Sequence, residues 1–413
     1  MNGISTYRRS AIIITVIAVS VFLLTECINK TGNGPAVIKN AAGQEFAGSL
    51  ACMSCHKNIY DSNIHTAHYR TSQAASGKNI KGSFDKGKNT VVFNGQVKVG
   101  MEKRDSSFYQ VEYINGEEKT RQRFDIVIGA GKKGQTFLYW MEDRLMQLPV
   151  FYFTARDQWA NSPGFPGRVI FKRPITSRCL ECHSTYAQKT SAENIQPEEF
   201  SHHRVIYGVD CERCHGPSAR HVEFQLKNPK DTTGKYIIVP EKFTRAQKLD
   251  MCALCHSGSM NGTKPPFSFQ AGDKLSDFYS YNTIAADIES LDVHGNQYGL
   301  LSLSKCFIQS EMTCNSCHSP HANEEGQTVL FSQRCMTCHN KEHGNFCKVA
   351  NVPGSVLAQN CIDCHMPEQA SKAIVFLEEG TNNQVAATMR SHLIKIYPEQ
   401  TNKVLAFIKQ TQR

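Results

Sequence analysis

Apolar and polar positions along the 413-residue chain follow three different rhythms. An unbroken apolar run comes first, at residues 11–24, behind Arg8 and Arg9. It is shorter than the roughly 20 residues a helix needs to cross a bilayer, and with the arginines in front it has the form of an export signal. Between residues 80 and 160 the period drops to two. Residues 90–93, 96–101, 107–114, 121–128 and 135–140 alternate or are rich in β-branched and aromatic side chains, the pattern of half-buried strands. Asn115-Gly116 suits a two-residue hairpin turn, so an antiparallel meander is predicted here. Residues 372–377 read as a further strand. A helical period closes the chain at residues 402–412, where Val404, Leu405 and Ile408 share a face. Elsewhere the pattern predicts short helices and loops.

Cysteine placement changes this picture. Cys-x-x-Cys-His occurs seven times, and these units are numbered 1 to 7: Cys52/Cys55/His56, Cys179/Cys182/His183, Cys211/Cys214/His215, Cys252/Cys255/His256, Cys314/Cys317/His318, Cys335/Cys338/His339 and Cys361/Cys364/His365. They take up 14 of the 17 cysteines. The unit is the attachment signature of a c-type haem. Two thiols one helical turn apart can both add to the vinyl groups, and the adjacent histidine is held under the iron as proximal ligand. Structural zinc would combine Cys-x-x-Cys pairs in twos, and seven is odd. Disulfides would leave the histidines unexplained. Seven covalently bound haems are therefore expected.

The expected fold class follows from length. The chain offers about 59 residues per unit, and the span from Cys52 to His365 about 45, too few to give each macrocycle its own domain. The expectation is a mainly α multihaem cytochrome c fold with irregular loops, packed around the haems. The antiparallel β insertion lies between units 1 and 2. Residues 1–27 are the signal, 28–45 a linker, 46–397 the haem domain and 398–413 a C-terminal helix. Cys27 ends a lipobox-like Leu24-Thr25-Glu26-Cys27, although Glu26 stands where a small residue is usual. A lipid anchor on Cys27 and an extracytoplasmic location, periplasmic or at the cell surface, are expected.

The formal charge of +9 would ordinarily raise the question of nucleic acid. Seven haems with ionised propionates shift it to about +2 when oxidised and about −5 when reduced, so nucleic acid is not an expected partner. Gly129-Ala-Gly131-Lys-Lys-Gly134 matches a dinucleotide fingerprint in spacing. A strand-like stretch follows it where a helix is required, so it reads as a glycine-rich hairpin and no nicotinamide cofactor is expected.

Nine histidines lie outside the units: His65, His68, His202, His203, His221, His294, His321, His343 and His392. A haem electron carrier is usually six-coordinate, so these are candidate distal ligands. His221 and His321 each trail a unit across a Pro-containing turn, which carries them away from their own iron toward a neighbour's. His65 and His68 are three apart on one predicted helical face. His202 and His203 could supply one ligand between them; His294 and His343 complete the set, with Met312 and Met366 as competitors. Cys306 and Cys347 could pair as a disulfide or stay free.

Residues 46–60, Gly208-Val-Asp-Cys211-Glu-Arg-Cys214-His215-Gly-Pro-Ser-Ala-Arg-His221 and Thr313-Cys314-Asn-Ser-Cys317-His318-Ser-Pro-His321 resemble the cytochrome c-552/4 group of multihaem cytochromes. That group is related to hydroxylamine oxidoreductase and the multihaem nitrite reductases, and the resemblance spans roughly residues 46–397. It implies distal ligation by His68, His221, His321 and His392, the last in an Arg390-Ser391-His392 stretch. Two functions follow. One is an electron carrier between redox proteins or quinol-linked membrane donors and an acceptor, without catalysis. The other is a reductase or oxidase of a small nitrogen or sulfur compound at one five-coordinate haem. Pentahaem nitrite reductases attach their catalytic haem through Cys-x-x-Cys-Lys. All seven units here end in His, which favours the carrier.

Overall fold

The computed structural model describes residues 37–281, 291–350, 352–377 and 383–411. The export signal, Cys27 and half of the linker, residues 28–36, lie outside the described residues, as does Gln412 at the end of the expected helix. From Lys39 onward the chain forms one unit.

The period-two region is antiparallel sheet throughout. Strands β2 (Thr90–Val92), β3 (Val97–Arg104), β4 (Ser107–Ile114) and β5 (Glu117–Arg123) form a four-stranded meander. Ile114 pairs with Glu117 across Asn115 and Gly116, whose φ values of 54° and 84° give the predicted two-residue turn. Residues 121–128 are two strands, not one: Phe124 and Asp125 break the run, and β6 (Ile126–Ile128) crosses into a second sheet. That sheet orders β1 (Ser72–Ala74), β6, β7 (Gly134–Met141), β8 (Arg144–Gln147) and β11 (Arg173–Pro174). β9 (Val150–Phe153) also pairs with β7, and β10 (Gln158–Asn161) with β9. The glycine-rich stretch leads into β7, a strand, with Gly129 and Gly131 at positive φ.

Both sheets close on one apolar cluster of Val99, Met101, Phe124, Phe137, Leu148, Val150, Trp159 and their neighbours. Three further hairpins lie outside it: β12 (Ser184–Lys189) with β13 (Phe200–Tyr207), β14 (Met260–Gly262) with β15 (Tyr279–Tyr281), and β16 (Glu368–Leu377) with β17 (Gln384–Arg390). Phe376 and Ala387 of the last pack on Phe151 and Phe153, which joins the C-terminal part to the β region.

The fold is thus mixed α and antiparallel β rather than mainly helical. Of these later hairpins only residues 372–377 of β16 stood out in sequence; the other strands carry charged and polar residues that mask the alternation. Helices cluster at the Cys-x-x-Cys-His units: Ser177–His183, Cys211–His215, Arg245–His256 and Cys361–His365 each end on a unit's histidine. The C-terminal helix runs Pro398–Thr411, four residues earlier than its apolar period, with Ile408 buried. Among the described residues no helix is long and apolar enough to cross a membrane.

Candidate haem sites

Each unit is a short helical turn, so its two thiols and its imidazole are presented together. The Cys211–His215 helix is capped by the Asp210 carboxylate, which accepts from the Glu212 N–H at 3.1 Å. Unit 4 ends the longest of these helices, Arg245–His256, which starts with a capping box between Thr244 and Gln247.

Unit 3 is tied to its surroundings by a buried carboxylate. The buried Glu212 carboxylate accepts from the backbone N–H groups of Ala47, Gly48 and Ser218 at 2.9, 2.8 and 2.7 Å. This clamps the approach to unit 1 onto unit 3. Just upstream, Gly208 has φ +70°, and a Cβ there would meet the Tyr69 carbonyl oxygen at 2.1 Å. Only glycine allows that approach, which also brings the Val209 N–H to the His68 carbonyl at 2.8 Å.

The units are close neighbours. Thiols lie beside one another between Cys52 and Cys211, Cys182 and Cys255, Cys252 and Cys314, and Cys335 and Cys361. Cys214 lies near Cys252 and Cys255, and Cys317 near Cys335 and Cys338. In space the units therefore follow the order 1, 3, 4, 5, 6, 7, with unit 2 beside unit 4. Chain order and spatial order part after unit 1, where the β region intervenes. Cys306 and Cys347 are free thiols, the first near Cys317 and Cys338 and the second near Cys364.

Three imidazoles from elsewhere in the chain face unit histidines. His68 faces His256 with ring centres 6.1 Å apart, His321 faces His215 at 6.0 Å, and His392 faces His318 at 6.1 Å. A metal held by both rings at the usual bond length of about 2 Å per side needs a spacing of about 6 Å, so these pairs fit an iron between them. The His215/His321 and His318/His392 rings are near parallel, at 14° and 27°, and His68/His256 are crossed at 67°.

The remaining ring nitrogens agree. The Nδ1 atoms of His215 and His365 donate to the carbonyls of Ile238 and Lys395 at 2.9 Å each. Those of His256 and His183 meet Gln297 Oε1 at 3.0 Å and Thr71 Oγ1 at 2.9 Å. Such bonds fix the tautomer and leave Nε2 for a metal. Burial holds His68, His183 and His392 down at about 4 and lowers His256, His294, His318 and His321 as well, so all are neutral at pH 7, the state iron binds. His68 is exposed as a residue, yet the protein around its ring desolvates it enough to lower its basicity.

Units 1 and 6 are less enclosed than the central units. Cys55 and His56 of unit 1 are exposed, and so are Cys338 and His339 of unit 6. Neither His56 nor His339 faces a second imidazole at the paired spacing among the described residues. His56 instead begins the next helix, Lys57–Asn63, with its carbonyl accepting from the Tyr60 N–H at 2.9 Å. His339 is held more loosely than the central histidines, its Nδ1 meeting the Asn345 carbonyl at 3.4 Å. The reason lies in the flanks. Lys57-Asn58 follows His56 and Asn340-Lys341-Glu342 follows His339, so no apolar segment closes over either ring. Sequence spacing identifies the attachment chemistry of these residues but says nothing of their enclosure.

The other candidates differ. His294 lies close enough to His183 to depress it electrostatically. Asp292 braces that segment, accepting from the His294 N–H at 3.1 Å and from Ser371, Lys372 and Ala373 at the bulge of β16. His221 donates through Nδ1 to the Lys235 carbonyl at 2.8 Å, leaving Nε2 free, but faces no unit imidazole at the paired spacing. His202 stacks on Trp140 at 3.9 Å and bonds the Glu142 carbonyl, while His203 is exposed beside it. His343 turns back to the Cys338 carbonyl at 3.2 Å, and His65 to Arg70 at 2.7 Å. The structure does not bring His65, His202, His203 or His343 opposite a unit histidine.

The sequence reading missed the anchoring residues Glu181, Glu212, Thr71 and Asp292. Two of them were visible as carboxylates inside Cys-x-x-Cys, positions that otherwise have no need of charge.

Residues 170–216, which contain units 2 and 3, match the family described as Cytochrome c554 and c-prime. No curated protein matches the chain. The solved outer cell wall cytochrome OcwA shares the fold, with a TM-score of 0.54 at 17% identity over 87% of this chain and 81% of that one. The repeated units, the family match across two of them and the shared fold mark the chain as a multihaem c-type cytochrome.

Proposed function

We propose that the protein is an extracytoplasmic heptahaem cytochrome that carries electrons between redox partners along a route through units 1, 3, 4, 5, 6 and 7, with unit 2 joining at unit 4. The spatial succession of the units carries this reading, because electron hopping needs adjacent macrocycles. Three imidazole pairs at 6.0–6.1 Å support saturated irons at units 3, 4 and 5, the centre of the route. His294 is the distal ligand proposed for unit 2, and His221 for unit 1, whose approach is clamped to unit 3 by Glu212. When bound, the haems supply one-electron storage. The chain holds each by two thioethers, and at the central units it positions the iron between imidazoles and keeps those imidazoles neutral by burial.

Mass spectrometry of the mature protein should show seven haem additions; five or fewer in a fully matured preparation would refute the count. The spectrum of the pure oxidised protein should be dominated by low-spin signals. A high-spin ferric signal that changes when a small nitrogen or sulfur compound is added would favour the other function, reduction or oxidation of such a compound at an open iron. Membrane attachment through Cys27 belongs to the same proposal. Palmitate labelling should be lost in Cys27→Ala, and equal labelling of both forms would overturn it.

A further inference from the structure

Glu181 lies between the two cysteines of unit 2 and is 3% exposed. Its Oε1 accepts from the Phe267 N–H at 2.9 Å and the Tyr279 hydroxyl at 2.5 Å, and its Oε2 lies 3.5 Å from Arg178 Nη1. Burial and the carboxylate push the Tyr279 hydroxyl far above its ordinary value, so it keeps its proton and acts as donor. Two guanidiniums tie this residue to neighbouring units, Arg178 beside its carboxylate and Arg213 at its main-chain carbonyl. Arg178 Nη2 donates at 2.7 Å to the carbonyl of Leu254, inside unit 4. Arg213, inside unit 3, donates through Nη2 to the Glu181 carbonyl at 3.0 Å. The same carbonyl lies 3.8 Å from Cys255 Sγ. Arg178 lies over the Tyr279 ring at 5.0 Å and Arg213 over the Phe267 ring at 5.5 Å.

Three attachment units thus meet around one buried carboxylate and two permanent cations. Cross-linking alone would not require charge, since the arginines bond only carbonyls and Glu181 accepts only from an N–H and a hydroxyl, roles that neutral amides could serve equally well. Burying charge is costly unless it does something there. A haem iron changes charge by one when it takes an electron, so a fixed neighbouring charge shifts its potential. The shift is larger in a low-dielectric interior than in water.

We propose that Arg178, Glu181 and Arg213 form a charge cluster that sets the haem potentials at the junction of units 2, 3 and 4. The cluster lies where the side branch meets the main route, so it governs the direction in which an electron leaves that junction. This inference rests on the reading that units 2, 3 and 4 bind haem. Glu181 holds the neighbouring irons toward the ferric state, and the arginines offset it.

The test is equilibrium potentiometry of the mature full chain, with haems counted by mass. Glu181→Gln keeps an acceptor for Phe267 and Tyr279 but removes the charge, and should move two or three components upward. Arg213→Met should move them downward, while Arg213→Lys stays near wild type. Tyr279→Phe strips a donor from the carboxylate without changing any charge, and should move them slightly downward; it serves if Glu181→Gln fails to mature. Opposite signs for Glu181→Gln and Arg213→Met are the result expected, because structural damage has no reason to reverse sign with charge. Shifts in the same direction, or none, in proteins with their full haem complement would overturn the proposal. A missing set of haems in the wild-type protein would instead refute the reading beneath it.

Discussion

The β region and the part that carries the units are built on opposite principles. Around β1–β11 the chain supplies its own interior: the central cluster has 14 buried members, and Val99, Met101, Phe137, Leu148 and Val150 are wholly hidden. Phe124, Phe137, Tyr152 and Trp159 pack ring against ring with centres 4.6–6.1 Å apart. Around the units the apolar clusters shrink to six members near Met260 and Leu275 and three near Leu301. There, imidazoles, thiols and side-chain hooks to single carbonyls hold short helices in place. One part is stabilised by side chains it encodes, the other by groups it must acquire.

The largest effect should come from withholding those groups. Full-length chain produced without haem attachment should lose amide protection across residues 177–227, 245–256 and 314–365. Strands β3, β4 and β7 should keep theirs. Hydrogen exchange read by mass spectrometry checks this, and protection lost evenly in both regions would erase the distinction. The converse change is Phe137→Ala. It should cost about 3–5 kcal/mol in the β region while leaving the haem count untouched.

A smaller effect links the two regions. Gly208→Ala would hold a Cβ at φ +70° against the Tyr69 carbonyl, at a cost of about 3 kcal/mol from conformation and clash together. The Tyr69 backbone adjoins His68, so the change should also disturb the His68/His256 pair and add a high-spin component to the spectrum. An unchanged spectrum would mean that the His68 segment is placed independently of unit 3.

The same contrast explains what could be read from sequence. Strand β4 fell where the alternation put it, and Asn115-Gly116 turned as its chemistry demands, because both are local. The units were legible because covalent attachment dictates residue type and spacing. Legibility failed where a position depends on a distant partner. The family resemblance singled out His68, His321 and His392, but nothing in local spacing said which unit histidine each would face. Only folding distinguishes a ring facing His256, His215 or His318 from one turned back to a nearby carbonyl. The same holds for the unit histidines, since His56 and His339 share their motif with the half-buried His183 and His256 yet stand exposed. Spatial order was equally hidden, since nothing along the chain says that unit 3 follows unit 1. The hairpin of β16 and β17 was half seen, because one strand is apolar and the other depends on its pairing.

The smallest effect tests whether an ordinary ion pair also secures the unit-bearing part. Glu324 takes a fork of two bonds from Arg334, Nη1 at 2.8 Å and Nη2 at 2.5 Å, and accepts from the Ser319 N–H at 3.0 Å. This pins the loop that carries His321 to the helix Thr328–Cys335. The Arg334 bonds lead in holding Glu324 down at about 2, against the opposing pull of burial. A carboxylate depressed in the folded state stabilises it fully above the unfolded value of about 4.3, and that contribution is lost as pH falls through about 2. The wild-type protein should therefore lose stability in this window, and Glu324→Gln should lose less there. At pH 7 the variant should be weaker by about 2 kcal/mol, because Arg334 keeps its charge but loses its partner. Thermal unfolding of both proteins between pH 2 and 7 measures the difference. Parallel curves would show that the haem-bearing part takes no pH-dependent support from this pair, and the contrast with the β region would be sharper still.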